Sequence, residues 1–149
     1  MKILLIATLL MSFINTCNNE LKSVEGNHYN NVYSMKLKIT VGPDIFIATL
    51  ESNKTVQAFT LQLPMTIQMN ELNGNEKYFD LSVSLPTSSA NPGKIQEGDL
   101  MLYGSNTLVI FYKSFSTSYS YTKLGRINNT EGLKVALGTG GVTIKFELE

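Results

Sequence analysis

The amino-acid sequence predicts a mainly β domain, a closed or nearly closed all-β barrel with two short helices. Three observations support this prediction. Apolar and polar residues alternate in several short segments, turn-forming Gly, Pro and Asn residues separate those segments, and helical spacing is confined to two short stretches. About seven or eight strands can be placed in this way, and closure into a barrel would remove exposed sheet edges. A β-sandwich is the alternative architecture.

The domain is predicted to begin with a hairpin. Residues 36–41 alternate strictly and place three apolar side chains on one face: Leu37, Ile39 and Val41. Residues 42–44, Gly-Pro-Asp, form a turn, and residues 45–50 return as the second strand.

A short helix is predicted to follow this hairpin. Its apolar residues repeat at helical spacing: Val56, Phe59 and Leu63. Ser52 or Asn53 can cap the start of the helix by accepting a hydrogen bond from an exposed backbone N–H, and Pro64 ends it.

Two further hairpins are predicted in the middle of the chain. Residues 65–72 alternate and turn at Asn73-Gly74-Asn75 into a strand at 76–81, after which residues 86–93 have the composition of a loop. Ile95 begins a short extended piece. Residues 100–103 and 107–112 then form a hairpin around a Gly-Ser-Asn turn.

The last two elements are a helix and a strand. Thr130 is predicted to cap a short helix that carries Leu133, Ala136 and Leu137 and ends at Gly138. Residues 142–148 show the strictest alternation in the chain, so we expect the final strand there.

The first sixteen residues are typical of a secretory signal peptide. Lys2 is followed by ILLIATLLMSFI, about twelve mostly apolar residues, fewer than the ~20 that a membrane-spanning helix needs. Residues 13–17 resemble the lipobox of bacterial lipoproteins, which implies lipidation of Cys17; ordinary cleavage near Thr16 is the alternative. We expect an exported, lipid-anchored chain, otherwise periplasmic or secreted, with a flexible tether at 17–34 and a folded domain at 35–149.

Composition argues against several classes of function. Twelve basic and twelve acidic residues cancel without forming a basic stripe, so no nucleic-acid partner is expected. Cys17 is the single cysteine and His28 the single histidine, so we expect no internal disulfide, metal site or cofactor. The acids Glu76, Glu97 and Asp99 could pair, but their spacing does not fix a separation, and a hydrolase is disfavoured.

Several blocks of the chain resemble the stand-alone cyclophilin-like domains of bacteria. The matching blocks are 72–78 (LNGNEKY), 98–104 (GDLMLYG), 108–121 (LVIFYKSFSTSYSY) and 124–127 (LGRI). The resemblance spans the whole predicted domain and implies a small eight-stranded barrel with short helices at its ends. The FMxQGGD block of true cyclophilins is absent, so the resemblance carries over no catalytic residue.

Residues 98–127 supply the candidate ligand contacts. Their rings, hydroxyls and one guanidinium suit binding better than bond breaking. We expect the contacts at the mouth of the barrel: Tyr103, Phe111, Phe115, Tyr119, Tyr121 and Arg126. Two alternatives remain open, a core position for Phe111 by strand alternation and a surface ion pair of Arg126 with Glu131 or Asp99.

The sequence therefore predicts a module that binds a small molecule or peptide non-covalently. One alternative is a weak prolyl isomerase with Arg126 as the hydrogen-bond donor near the proline nitrogen. Another is an accessory domain whose aromatic face contacts a second protein.

Overall fold

The structure is a computed structural model that describes residues 34–149. Within these residues eight strands close into an antiparallel barrel in the order β1-β10-β3-β4-β7-β6-β9-β2, and β5 and β8 form a separate two-stranded sheet. The elements are β1 Lys36–Val41, β2 Asp44–Leu50, α1 Lys54–Thr60, β3 Met65–Leu72, β4 Glu76–Asp80, β5 Lys94–Ile95, β6 Asp99–Tyr103, β7 Thr107–Phe111, β8 Phe115–Ser116, β9 Tyr121–Ile127, α2 Leu133–Leu137 and β10 Val142–Leu148. The predicted barrel is confirmed and the sandwich is excluded.

Strict alternation located the strands well. β1, β3 and β10 have the predicted bounds, and β2, β4, β6 and β7 differ from them by one residue at one end. The inward residues of these strands form one apolar core that the two helices also contact: Leu37, Ile39, Ala48, Met69, Leu100, Leu102, Leu108, Ile110, Ile144 and Phe146, with Phe59 of α1 and Leu133 of α2. The barrel interior is therefore filled by side chains.

The first helix is shorter than predicted. Asn53 caps it, and its side-chain oxygen accepts a 2.8 Å hydrogen bond from the backbone N–H of Val56. Val56 and Phe59 are buried, but the helix ends at Thr60. Leu63 therefore lies beyond the helix, although its side chain still packs against the core. The predicted extension to Pro64 was wrong because Leu61 already begins a turn.

The cap predicted for the second helix was also wrong. Gly132 occupies the N-cap position with a left-handed φ of 79° and no side-chain hydrogen bond, while Thr130 contributes only its backbone carbonyl, to the N–H of Leu133. Glycine adopts this backbone geometry without steric strain. The predicted end of the helix at Gly138 is confirmed.

The prediction missed β9, the strand that closes the barrel. β9 pairs with both β2 and β6, and Leu124 has no register partner on β6, because the pairing shifts between Leu100 and Met101. An extra residue of this kind is a β-bulge, and it breaks the period of two on which strand prediction depends. Leu124 and its neighbour Gly125 are consequently both buried.

A second apolar cluster lies on the outer face of the barrel wall. Its buried members are Ile95, Met101, Val109, Phe111 and Tyr121, and Tyr78 and Phe115 pack against it. Strand parity places it outside, because Met101 and Val109 alternate with the inward residues Leu100, Leu102, Leu108 and Ile110. The small β5–β8 sheet contributes Ile95 and Phe115, which pair in register. This outer cluster positions the candidate site.

The predicted signal peptide, the lipidation site Cys17 and the tether up to residue 33 lie outside the described residues. Among residues 34–149 no helix is long and apolar enough to cross a membrane.

Candidate functional site

The outer face of the barrel wall carries a cleft of about 460 Å³. The cleft lies beside the outer cluster. Its walls come from the end of β3 and the β3–β4 turn, from β4, β6, β7, β8 and β9, and from Tyr119 before β9. The prediction that the contacts would lie at the barrel mouth is corrected, because the lining residues of β6 and β7 belong to the outward face of their strands.

Pairing register brings the lining residues of four strands together. Tyr78 of β4 lies opposite Val109 of β7, and Tyr103 of β6 lies opposite both Thr107 of β7 and Tyr121 of β9. Side chains at paired positions on one face of a sheet are neighbours. Residues that are distant in sequence therefore line one continuous surface.

Four of the six predicted contacts line this cleft: Tyr103, Phe115, Tyr119 and Tyr121. The ring centroids of Tyr103 and Tyr119 are 6.1 Å apart with their planes at 88°, and those of Tyr103 and Tyr121 are 5.6 Å apart at 53°. Tyr103 and Tyr119 are large aromatic residues that stay 46% and 62% exposed. These rings are thus held as neighbours while part of their surface remains open to solvent.

Phe111 does not line the cleft. It is fully buried beneath it, where its ring centroid lies 5.6 Å from that of Phe115 and 5.5 Å from that of Tyr121. Phe111 is therefore a support for two lining rings, although it faces outward and not into the barrel.

Arg126 also lies away from the cleft. Its guanidinium binds the buried carboxylate of Asp99, with Nη2 and Nε 2.7 and 2.8 Å from the same Oδ1 atom. The other oxygen of Asp99 accepts a 2.8 Å hydrogen bond from the backbone N–H of Gln96. Asp99 and Arg126 pair at one end of β6 and β9, whereas Tyr103 and Tyr121 pair at the other end, roughly 13 Å along the strand.

Glu76 is a lining residue that the sequence did not identify as a ligand contact. The residue is only 9% exposed, and among residues 34–149 no hydrogen bond or ion pair reaches its carboxyl group. Burial, together with the negative charge of Glu71, raises the pKa of Glu76 to about 7. The neighbouring Asn75 also lines the cleft, and its side-chain oxygen is buried without a hydrogen-bond partner in the described chain.

A buried ion pair supports the turn that carries Glu76. Lys77 is fully buried and donates hydrogen bonds to the Glu71 carboxylate and to the backbone oxygens of Gly138, at 3.0 Å, and Gly140, at 2.6 Å. The Tyr112 hydroxyl donates to both carboxylate oxygens of Glu71 at 2.8 Å. The charge of Lys77 is therefore fully engaged away from the cleft.

These contacts shift the pKa values of Glu71 and Tyr112, the two side chains that surround Lys77. Desolvation acts to raise the pKa of Glu71, but hydrogen bonds from Lys77 and Tyr112 outweigh it, so that this pKa lies below its usual value. Burial and the hydrogen bond to Glu71 raise the pKa of Tyr112 to about 12. Glu71 thus stays ionised, and its charge opposes ionisation of Glu76.

The arrangement of the cleft suits binding. It offers rings, hydroxyls and unpaired acceptors, and no three metal-ligating side chains converge anywhere in residues 34–149.

Comparison with known proteins finds a matching family and a similar solved structure. Residues 39–147 match the model of the cyclophilin-like family. A solved solution structure of a hypothetical protein from Archaeoglobus fulgidus is similar over 78% of this chain and 95% of that chain, with a TM-score of 0.60 and 22% sequence identity. No curated protein matches the chain.

Proposed function

The chain belongs to the cyclophilin-like family, and from that premise we propose that its barrel is a binding module whose outer cleft holds a small molecule or peptide non-covalently. The observation that supports this most directly is the cleft itself, in which four tyrosines and a phenylalanine surround polar groups that have no hydrogen-bond partner within residues 34–149. Its volume of about 460 Å³ falls within the range of small-molecule sites.

The rings of the cleft favour ligand contact over simple packing. Tyr103 and Tyr119 leave much of their aromatic surface in solvent. Exposed apolar surface gathered in one concave place is typical of binding sites. Tyrosine rings combine apolar area with a hydroxyl that can direct a hydrogen bond, so they suit a ligand that has both kinds of surface.

Two alternatives from the sequence fit the geometry less well. A prolyl isomerase that uses Arg126 would need its guanidinium near the bound peptide, but that group is engaged with Asp99 at the far end of β6. An accessory domain would use the exposed rings of Tyr103 and Tyr119 against another protein. A concave cleft whose acceptors have no donor within residues 34–149 is better suited to a small ligand than to the flat surface of another protein.

We also propose that the module works outside the cytoplasm. The apolar stretch after Lys2 and the FINTC block at 13–17 support export and lipidation at Cys17. Mass spectrometry of the mature protein from bacterial cells that express the full chain tests this. An N-terminal acylated Cys17 is expected, whereas an intact Met1 terminus would contradict export.

A titration of residues 34–149 with a fragment and short-peptide library, followed by ¹H–¹⁵N NMR, tests the binding function. Hits should shift resonances of the cleft and lose affinity in the double variant Tyr103→Ala with Tyr119→Ala. Leu61→Ala, which removes an exposed apolar side chain outside the cleft lining, is the matched control and should leave binding unchanged. A library without hits, or hits that bind both variants equally, would contradict the proposed function.

A further inference from the structure

Resting on the proposed binding role, we infer that the ligand of the outer cleft carries an alkylammonium group, which binds among the tyrosine rings with Glu76 as its counter-ion. The source of this group is a free amine or the side chain of a lysine in a peptide. The inference depends on three features of the lining: its charge, its rings and its unpaired acceptors.

The charge of the lining is of one sign. Of the residues that line the cleft in the described part of the chain, Glu76 and Asp80 are acidic and none is Lys, Arg or His. Asp80 accepts a 2.6 Å hydrogen bond from the Thr107 hydroxyl, whereas no residue of the described range 34–149 donates one to Glu76. Lys77, next to Glu76 in the chain, donates to Glu71 and to two backbone carbonyls on the other side of the strand. Lys113 places its ammonium nitrogen beside Gly74 of the β3–β4 turn but forms no ion pair with Glu76 in residues 34–149, so a ligand is left to supply the cation that faces this carboxyl group.

The rings provide a second attraction for a cation. The faces of aromatic rings carry negative electrostatic potential, and aromatic cages that bind alkylated ammonium groups exploit it. Tyr103, Tyr119 and Tyr121 are tilted against one another and not stacked, with ring planes at 88° and 53°. Tilted rings leave more of their faces uncovered than stacked rings would. Tyr78 lies two positions from Glu76 on the same face of β4, and the charge of Glu76 acts on Tyr121, so these two rings of the lining are the partners of the carboxyl group.

The unpaired acceptors specify what the ligand must donate. A carboxylate that has lost part of its hydration is stabilised by a cation or by hydrogen-bond donors, and Glu76 has neither within residues 34–149. The titratable groups that act on it are Glu71, Tyr112 and Tyr121, none of which is a cation. The side-chain oxygen of Asn75 is a second acceptor in the same cleft that no donor of residues 34–149 reaches. An ammonium group with N–H donors satisfies both, which favours a primary ammonium over a quaternary one.

Two pairs of probes that differ in charge but not in shape test this inference by ¹H–¹⁵N NMR titration. n-Butylamine is compared with 1-butanol, and Nα-acetyl-lysine amide is compared with Nα-acetyl-6-hydroxynorleucine amide. Each cation should bind at least about tenfold more tightly than its neutral partner and shift the resonances of Tyr103, Tyr119 and Tyr121. Stronger binding of the lysine amide would identify a peptide as the source, and equal binding of the two cations would identify a free amine.

The variant Glu76→Gln keeps the size of the side chain and removes its charge, so the preference for the cations should disappear. Glu131→Gln, at an exposed acid outside the cleft lining, is the matched control and should keep it. Tyr119→Leu removes a ring that is 62% exposed, so it should weaken the cations more than their neutral partners even if Glu76→Gln unfolds.

The outcomes separate the two proposals. Equal affinity for cations and neutral partners would overturn the cation inference and leave the binding function standing. Failure of all four probes, or shifts confined to residues outside the cleft, would also overturn the inference, while the library titration decides the binding function independently.

Discussion

Glu76 and Lys77 are adjacent in β4, yet the side chain of Glu76 lines the outer cleft and that of Lys77 is buried on the other side of the barrel wall. Lys77 is fully buried and has three hydrogen-bond acceptors, whereas Glu76 faces the outer cleft with no partner in the described chain. Successive side chains of a strand point to opposite faces, so the two groups cannot neutralise each other across the barrel wall. The carboxylate of Glu76 is consequently available to a ligand, whereas the ammonium group of Lys77 is not.

Binding of a cation to the cleft should depend on pH. The pKa of Glu76 in the free protein is about 7, so below that value the carboxyl must lose a proton before it can pair with an ammonium group. Tyr112 and Tyr121 stay protonated at these pH values because burial raises the pKa of both. The affinity for n-butylamine should fall roughly thirtyfold between pH 8 and pH 5.5. Isothermal titration calorimetry at both values checks this, and an affinity that does not change with pH would contradict it.

Replacing Glu76 should stabilise the protein at high pH. The folded pKa of about 7 exceeds the ordinary value of 4.5, so the folded chain binds more protons than the unfolded chain between these values. The contribution of Glu76 to stability therefore falls as the pH rises from 4.5 to 7 and stays low above it. Glu76→Gln should raise the free energy of unfolding at pH 8 by roughly 1–3 kcal/mol and by little at pH 4.5. Urea unfolding at both pH values measures this, and an equal effect at both would contradict it.

Removing Lys77 should strongly destabilise the fold. Lys77→Met leaves Glu71 without its cation and the carbonyls of Gly138 and Gly140 without their donor. Loss of one partner from a buried ion pair typically costs about 3–5 kcal/mol.

Lys38 provides the control for this change, since it forms a 3.0 Å ion pair with Glu147 on the surface. Lys38→Met should change the free energy of unfolding by about 0–1 kcal/mol, because solvent screens an exposed pair. Urea unfolding of both variants makes the comparison. Similar losses in the two would show that the Lys77 pair does not hold the barrel together.

Substituting Arg126 should affect stability but not ligand binding. Arg126→Ala leaves the carboxylate of Asp99, which is 2% exposed, with only the hydrogen bond from the N–H of Gln96. The free energy of unfolding should fall by about 1–3 kcal/mol. The affinity of the cleft for its ligands should stay within about twofold, because Asp99 neutralises the guanidinium and Arg126 does not line the cleft.

A peptide cis/trans assay of the Arg126→Ala variant adds an independent check. We expect the same rate as for the unchanged protein. A loss of ligand affinity, or of a measurable isomerase rate, would instead place Arg126 in the functional machinery.

Sequence alone determined much of the barrel because most strands keep a strict period of two. β1 and β10, for example, alternate without interruption, and their bounds were predicted correctly. β9 could not be recognised, because its bulge at Leu124 breaks the period and Gly125 reads as a turn residue. Glycine is needed at that position because a Cβ atom there would collide with the backbone oxygen of Thr49 on the neighbouring strand β2.

The candidate site was only partly predictable for a related reason. Sequence shows which residues are aromatic, and it therefore identified Tyr103, Phe115, Tyr119 and Tyr121. It does not show which face of the barrel an aromatic residue occupies once a strand has been missed. Nor does it show whether an acid has a partner, since the pairings of Asp99 and the isolation of Glu76 depend on strand register and burial.

Determining a crystal structure of the protein in complex with Nα-acetyl-lysine amide would test the cation site most directly. We predict that the side-chain ammonium nitrogen lies about 2.7–3.0 Å from a carboxylate oxygen of Glu76 and contacts the ring of Tyr121. A ligand bound with its ammonium group in solvent, or bound elsewhere on the barrel while the cleft stays empty, would contradict the account.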